Sequence, residues 1–261
     1  MSDFRNTLIL LAVAAFAIFA PAQETLRIAA AADLQPLLPG ILSEFTAQTG
    51  IHAEASYKSS AVLATQIING APFDVFMAAD LSFPQRVIAA GLAEETQPIV
   101  YAQGTLVLWT RNETPFHDLS MNTLRDPALK TVAVANAEHA PYGRAAQAAL
   151  QHLGLYDTLK SRLVIAENIA QTAQYVDSGN AELGFISLTS AMTPRLKASG
   201  HYVLVPRDAY PPLQQGAIIV KRAGAGSAAA HRFLEFLASA AVVRQLEAGG
   251  LAPATSAPQA K

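Results

Sequence analysis

Short apolar strands alternate with amphipathic helices from Leu26 onward, and this alternation is what most restricts the fold. Apolar runs such as DVFMAA (74–79), TLVLWT (105–110) and TVAVA (131–135) are separated by segments whose apolar residues recur at helical spacing. Strands that alternate with helices predict an α/β fold with mainly parallel strands.

The first of these units places an apolar strand directly before a helix. Small apolar residues from Ile28 to Ala32 suit a buried parallel strand. Asp33 is a residue type that caps helices, and the apolar periodicity predicts a helix from Leu34 to Gln48. The end of a strand that meets a helix N-terminus presents free N–H groups, so an anion could bind there.

The first 22 residues have the pattern of an export signal. Arg5 gives the positive charge, Leu8 to Ala20 forms an apolar stretch, and Ala20-Pro21-Ala22 offers a cleavage site. The apolar stretch is shorter than the roughly 20 residues that a membrane-spanning helix needs. We therefore expect a cleaved signal peptide and a periplasmic protein without a lipid anchor, because no cysteine precedes the mature start.

The rest of the chain is long enough for two lobes of about 100 residues each. No flexible linker is visible, so the lobes should be joined by crossing segments near 100–102 and 205–207. This predicts a first lobe formed by residues 23–102 and 206–261, and a second lobe formed by 103–205.

Composition narrows the partners and the chemistry. The net charge of −2 gives no basic surface for nucleic acid. The absence of cysteine excludes a thiol nucleophile, disulfides and cysteine-ligated zinc. The histidines are scattered without a metal-binding motif, so neither a metal ion nor another cofactor is expected.

Five predicted junctions between a strand and a helix share small or hydroxyl side chains and little formal charge. They are Ala32-Asp33, Ser59-Ser60, Ala140-Pro141-Tyr142-Gly143, Asn168-Ile169 and Ser187-Leu188-Thr189. Ligands of open α/β sheets bind beyond the carboxyl ends of the strands, where such junctions gather. Together they suit a small tetrahedral oxyanion held by N–H groups and hydroxyls.

Four segments resemble the periplasmic molybdate-binding proteins of ABC importers. The segments are AAAADL, KSSAVLATQIINGAPFDVFMAAD, NAEHAPYGRAAQAALQHLG and AENIAQTAQYVDSGNAELGFI, in unbroken order. The resemblance implies a type II periplasmic-binding-protein fold, with two α/β lobes, mixed but mainly parallel sheets and a cleft between the lobes. It also implies an oxyanion bound by N–H groups and hydroxyls without a metal ion.

The ligand pocket of these relatives maps onto six residues of this chain. The resemblance implies the hydroxyls of Ser60 and neighbouring Ser59, and the backbone N–H groups of Tyr142 and Ile169. It also points to Asp33 and Ser187, where relatives usually carry a serine and often a tyrosine, respectively.

Asp33 is the main departure, because a carboxylate about 4 Å from an anion costs roughly 4 kcal/mol per unit charge at an effective dielectric constant of 20. Our hypothesis is that its side chain caps the following helix or pairs with Lys58. Two alternatives stay open: the carboxyl is protonated, or the ligand brings a proton that the carboxylate accepts.

The function predicted from these residues is capture of molybdate, or of tungstate, for uptake by the permease of an inner-membrane ABC importer. We expect a monomer without enzymatic activity. The alternatives are a binding protein for another oxyanion or a small organic anion, and a hydrolase with Ser59 or Ser60 as nucleophile. Against the hydrolase, the sequence has no G-x-S-x-G elbow.

Overall fold

A computed structural model describes residues 25–221 and 227–254. The predicted signal peptide, residues 1–22, lies outside these ranges. Within the described ranges, none of the helices has the length and apolar character needed to cross a membrane.

The first sheet has five strands in the order β2-β1-β3-β10-β4. Its strands are β1 (Leu26–Ala31), β2 (Ala53–Lys58), β3 (Val75–Ala78), β4 (Ile99–Gly104) and β10 (Leu213–Ile219). Strands β1, β2 and β3 are parallel, whereas β10 is antiparallel to both β3 and β4. The carboxyl ends of the three parallel strands therefore lie at one edge of the sheet.

The second sheet repeats this plan with five strands in the order β7-β6-β8-β5-β9. Its strands are β5 (Leu106–Arg111), β6 (Val132–Ala135), β7 (Leu163–Ala166), β8 (Leu183–Ser187) and β9 (Gly200–Leu204). Strand β6 is parallel to β7 and β8, and β5 is antiparallel to β8 and β9. Two mixed sheets, each with three adjacent parallel strands, confirm the predicted α/β class.

Helices cover both sheets. Those that follow strands of the first sheet are α1 (Leu38–Thr49), α2 (Ser60–Ile68), α3 (Ser82–Ala89), α9 (Ser227–Leu237) and α10 (Ala240–Ala248). Those of the second sheet are α4 (Pro141–His152), α5 (Tyr156–Leu159), α6 (Ile169–Asp177), α7 (Leu188–Ala191) and α8 (Pro194–Ser199).

The core follows from the period of two along each strand. Ile28 and Ala30 of β1 pack with α1, α9 and α10 on one face of the first sheet. Ala29, between them, packs with α2 and α3 on the opposite face. Burial on both faces explains why β1 is apolar from Ile28 to Ala31 rather than alternating with polar residues.

The chain passes between the sheets twice. Strand β4 ends at Gly104 and β5 begins at Leu106, so Thr105 separates the two sheets on the first passage. The return runs from β9, which ends at Leu204, to β10, which begins at Leu213. We propose the predicted lobe bounds, 23–102 with 206–261 and 103–205, as the division of the chain.

The predicted helix Leu34–Gln48 is wrong at its beginning. Residues Ala32–Leu34 form a short 3₁₀ helix, and α1 begins only at Leu38, with Pro39 in its first turn. Proline has no N–H to donate and clashes with the carbonyl four residues earlier, so Pro39 fits only at the start of a helix. The prediction considered Pro36 alone and overlooked this second constraint.

Candidate functional site

The strand-to-helix junctions of the two sheets meet at one interface. The backbone N–H of Ala61, after β2, donates to the carbonyl oxygen of His139, before α4, at 3.1 Å. The hydroxyl of Thr189, after β8, donates to the carbonyl oxygen of Asp33, after β1, at 2.7 Å. Ile169, at the start of α6, shares a buried cluster with Ala31 and Ala32.

Asp33 lies at the centre of this interface, fully buried. Its Oδ2 accepts hydrogen bonds from the Tyr142 hydroxyl at 3.1 Å and from the Gln215 amide Nε2. Its Oδ1 is buried and has no hydrogen-bond partner among the described residues. The two donors come from helix α4 and strand β10, so the carboxyl connects the two sheets.

Both parts of the leading hypothesis for Asp33 are wrong. The 3₁₀ helix that contains Asp33 has no side-chain cap, because its capping position is occupied by Ala31. Among the described residues, no ion pair joins Lys58 to Asp33; the carboxyl is held instead by Tyr142 and Gln215. The carboxyl is drawn away from the helix by these neutral donors.

A second tyrosine fixes the orientation of the Gln215 amide. The Tyr101 hydroxyl donates to Gln215 Oε1 at 2.7 Å, which leaves Nε2 to donate to Asp33. Gln215 is fully buried in β10, where a polar side chain requires such partners.

Burial dominates the electrostatics of the site. Desolvation raises the pKa of the Asp33 carboxyl from 3.8 to about 6, against the opposing effect of the hydrogen bonds from Gln215, from Tyr142 and from the Asp33 backbone. Burial, reinforced by the charge of Asp33, also raises the pKa of Tyr101 and of Tyr142 well above the usual 10. Both tyrosines therefore remain neutral donors at neutral pH.

Ser59 and Ser60 lie beside Asp33 because β1 and β2 are adjacent and parallel, with Ala31 opposite Lys58. Ser60 Oγ accepts a hydrogen bond from the Ala79 N–H at 3.1 Å, so its own hydroxyl proton can be donated elsewhere. Ser59 Oγ is buried and has no hydrogen-bond partner. Two hydroxyl groups that can donate hydrogen bonds therefore lie at the end of β2.

Tyr142 and Ile169 occupy the first turns of their helices. Tyr142 is the second residue of α4 and Ile169 is the first residue of α6. N–H groups in a first turn have no acceptor within the helix, so both can bind an anion. The Asn168 side chain caps α6 through the N–H of Gln171 at 3.0 Å, which does not involve the N–H of Ile169.

The Ser187 hydroxyl is already engaged in hydrogen bonds. It accepts from the Ser190 N–H at 3.3 Å and donates to Ser190 Oγ at 2.9 Å, so it caps α7. The Thr189 hydroxyl lies 2.9 Å from it as well. Ser187 therefore holds the end of β8 in place beside Asp33.

Arg144 of α4 contacts the first lobe. It forms an ion pair with Asp80 of the other lobe, and its guanidinium lies 5.1 Å from the centre of the Phe83 ring. Asp80 Oδ1 also accepts from the N–H of Phe83 at 3.3 Å in the first turn of α3. This ion pair is a further contact between the lobes.

The sequence placed Thr189 in a junction but did not reveal its bond to Asp33, and it did not point to Gln215 or to Tyr101 as parts of the site. A signal for Gln215 does exist, since two glutamines precede an apolar strand in QQGAIIV (214–220). Within residues 25–221 and 227–254, no group of three or more His, Asp or Glu side chains is placed to hold a metal ion.

Known proteins resemble the chain over most of its length. Residues 26–252 match the family model described as bacterial extracellular solute-binding protein. The molybdate-binding protein ModA of Rhodobacter capsulatus is 37% identical over 193 residues, which is 74% of either chain. The ModA of Azotobacter vinelandii is 35% identical over 224 residues, 86% of this chain and 88% of that protein.

A solved structure supports the same relationship. The periplasmic molybdate-binding protein of Azotobacter vinelandii superposes with a TM-score of 0.81 at 30% identity, covering 90% of this chain and 100% of the other. The two-lobed fold predicted from the sequence is therefore confirmed. The chain belongs to the family of bacterial extracellular solute-binding proteins.

Proposed function

We propose that this protein captures a tetrahedral oxyanion, molybdate or tungstate, in the periplasm and delivers it to the permease of an ABC importer. It does no chemistry on the anion. A cleaved signal peptide at residues 1–22 accounts for its export. The anion binds between the lobes and stabilises their contact.

The observation that carries this proposal is the pair of buried polar atoms without partners at the lobe interface. Asp33 Oδ1 and Ser59 Oγ come from adjacent strand ends, and neither has a hydrogen-bond partner. Buried polar atoms are almost always satisfied, and a bound ion is one explanation for a group that is not. An anion oxygen between them satisfies the Ser59 hydroxyl.

The available donors suit an oxyanion without a counter-ion. We propose the hydroxyls of Ser59 and Ser60, the N–H groups of Tyr142 and Ile169, and the Asp33 carboxyl as the ligand contacts. Ser187 contributes by holding β8 rather than by a direct bond, because its hydrogen bonds are already made. The two ModA relatives, which are molybdate-binding proteins, support molybdate as the anion.

The hydrolase alternative needs a serine hydroxyl that is hydrogen-bonded to a general base, and the described residues provide no such pair. The hydrogen bond of Ser60 Oγ is with the Ala79 N–H, and Ser59 Oγ has none. Within the described ranges neither hydroxyl bonds to a histidine, which serine activation requires.

An anion panel tests the proposal. Ligand-stripped protein is titrated calorimetrically at pH 6.5 with molybdate, tungstate, sulfate, phosphate and chromate, and its thermal unfolding is followed with each anion. We expect binding heat and an increased Tm with molybdate and tungstate, because a ligand that binds only the folded state stabilises it. Binding of sulfate or phosphate alone would reassign the ligand, and no response to any oxyanion would refute the proposal.

A further inference from the structure

The two oxygens of the Asp33 carboxyl have different environments. Oδ2 receives both hydrogen bonds, one from Tyr142 and one from Gln215. Oδ1 is equally buried but receives none. An ionised carboxylate carries half of its charge on each oxygen, so a buried and bare Oδ1 would be costly in that form.

The donors on Oδ2 identify where an acid proton would sit. The Tyr142 hydroxyl and the Gln215 amide both donate to Oδ2, and Tyr101 holds the amide in that orientation. A neutral carboxylic acid has one oxygen that only accepts and one that carries the O–H. Oδ2 is the accepting oxygen, so the O–H lies on Oδ1, where an acceptor is required.

We propose that Asp33 binds the oxyanion as a neutral carboxylic acid that donates its Oδ1 proton to it, so that each capture event takes up one proton. This inference rests on the proposed function and makes Asp33 a specificity-determining residue of that site. The residue that looked incompatible with an anion thereby becomes one of its donors. A shared O–H between Asp33 and the anion is a charge-assisted hydrogen bond.

The groups around Asp33 support this protonation state. The titratable groups nearest to it are Tyr101 of β4 and Tyr142 of α4, both neutral donors. Gln215 of β10, Thr189 of α7 and Ile169 of α6 carry no charge, and neither do Ser59 and Ser60 before and in α2. Among the described residues Lys58 forms no ion pair with Asp33, Arg144 is paired with Asp80, and Arg27 is paired with Glu54.

The sign of the pH dependence follows from linkage. A carboxyl whose pKa is raised in the bound form takes up a proton on binding whenever the pH lies between the free and the bound pKa values. Burial, opposed by the hydrogen bonds to the carboxyl, brings the pKa of Asp33 to about 6, and a neighbouring dianion raises it further. Affinity is therefore greatest at low pH and falls by about tenfold per pH unit above pH 6.5.

The experiment measures molybdate binding by calorimetry from pH 6.5 to 8.5, in buffers of different ionisation enthalpy at each pH. The wild type should take up close to one proton per anion at pH 7.5, and its Kd should increase about 100-fold across the range. In Asp33→Asn an amide N–H replaces the O–H while the amide oxygen accepts from Tyr142 and Gln215. This variant should show no proton uptake, a Kd independent of pH, and tighter binding than the wild type at pH 8.5.

A matched control makes the same chemical change elsewhere. Asp157→Asn removes an exposed carboxylate on α5 and should keep the proton uptake of the wild type. Tight wild-type binding at pH 8.5 with no proton uptake would overturn the inference while leaving the proposed function intact. Proton uptake that persists in Asp33→Asn would overturn it as well. Failure of both proteins to bind any oxyanion at any pH would instead overturn the proposed function, and this inference with it.

Discussion

At the scale of single residues, the two neighbouring serines have different structural roles, and this gives a test of the site. Ser59 Oγ has no partner, whereas Ser60 Oγ accepts from the Ala79 N–H. Ser59→Ala should weaken molybdate binding about tenfold or more, since a hydrogen bond to a charged group contributes roughly 1.5–3 kcal/mol. It should not lower the Tm of the ligand-free protein, because no existing hydrogen bond is removed.

Ser60→Ala is the matched comparison. It should weaken binding and also lower the ligand-free Tm, because the buried N–H of Ala79 loses its acceptor. Calorimetry and thermal unfolding of both variants separate the two effects. Wild-type affinity in Ser59→Ala would show that Ser59 does not contact the anion.

Some residues of the site could be predicted from the sequence and others could not. The difference lies in how far away along the chain their hydrogen-bond partners are. Ser59, Ser60, Tyr142 and Ile169 were identified from local chemistry at the ends of strands, and the structure brings their junctions together. Gln215 was missed because its partner Asp33 is 182 positions away. The side chain of Asp33 was misassigned for the same reason, since the sequence suggested a local cap or Lys58, whereas its partners Tyr142 and Gln215 lie far along the chain.

At the scale of elements, apolar patterning predicted the buried strands well and the polar edges poorly. Strand β10 begins at Leu213 and includes the two glutamines, which apolar patterning does not mark as part of a strand. The polar residues at the start of β10 pair with β4. Strand β4 also mixes polar and apolar residues, and part of it was expected only as a crossing segment. Periodicity cannot detect a strand whose polar side chains are satisfied by tertiary partners.

The end of β4 gives a test at this scale, because Gly104 lies against Tyr142. A Cβ at Gly104 would overlap the hydroxyl and the ring carbon that bears it. Gly104→Ala should therefore push Tyr142 away from Asp33 and weaken molybdate binding at least tenfold, since small displacements of a positioned group are costly. Adding Tyr142→Phe, which removes the hydroxyl, should restore part of the affinity.

Gly40→Ala is the control for Gly104→Ala. Gly40 is exposed in α1, and a Cβ there would meet nothing within 4 Å. The substitution should leave affinity unchanged and raise the free energy of unfolding by about 0.5–1 kcal/mol, as expected for glycine to alanine within a helix. Equal affinities for the two alanine variants would contradict the role assigned to the close contact at Gly104.

At the scale of the whole molecule, the lobes are held together by contacts that differ in their dependence on the anion. At the proposed site, the Tyr142 hydroxyl bonds to the Asp33 carboxyl, which titrates, and the Thr189 hydroxyl bonds to the Asp33 backbone carbonyl, which does not. The bond from Ala61 to His139 joins backbone groups next to the two serines. The ion pair between Arg144 and Asp80 is partly exposed, so it can stabilise contact between the lobes independently of the ligand.

Arg144 therefore provides a test of how the lobes come together. Arg144→Gln should shift the ligand-free protein towards separated lobes, seen as a larger radius of gyration in small-angle X-ray scattering. Partly exposed ion pairs contribute about 0.2–1 kcal/mol, so molybdate affinity should fall about two- to fivefold at low salt. The loss should diminish at 1 M salt, where screening acts over about 3 Å.

Arg195→Gln breaks an ion pair with Asp177 inside the second lobe and should change neither quantity. If the two variants behave alike, the pair between Arg144 and Asp80 does not contribute to holding the lobes together.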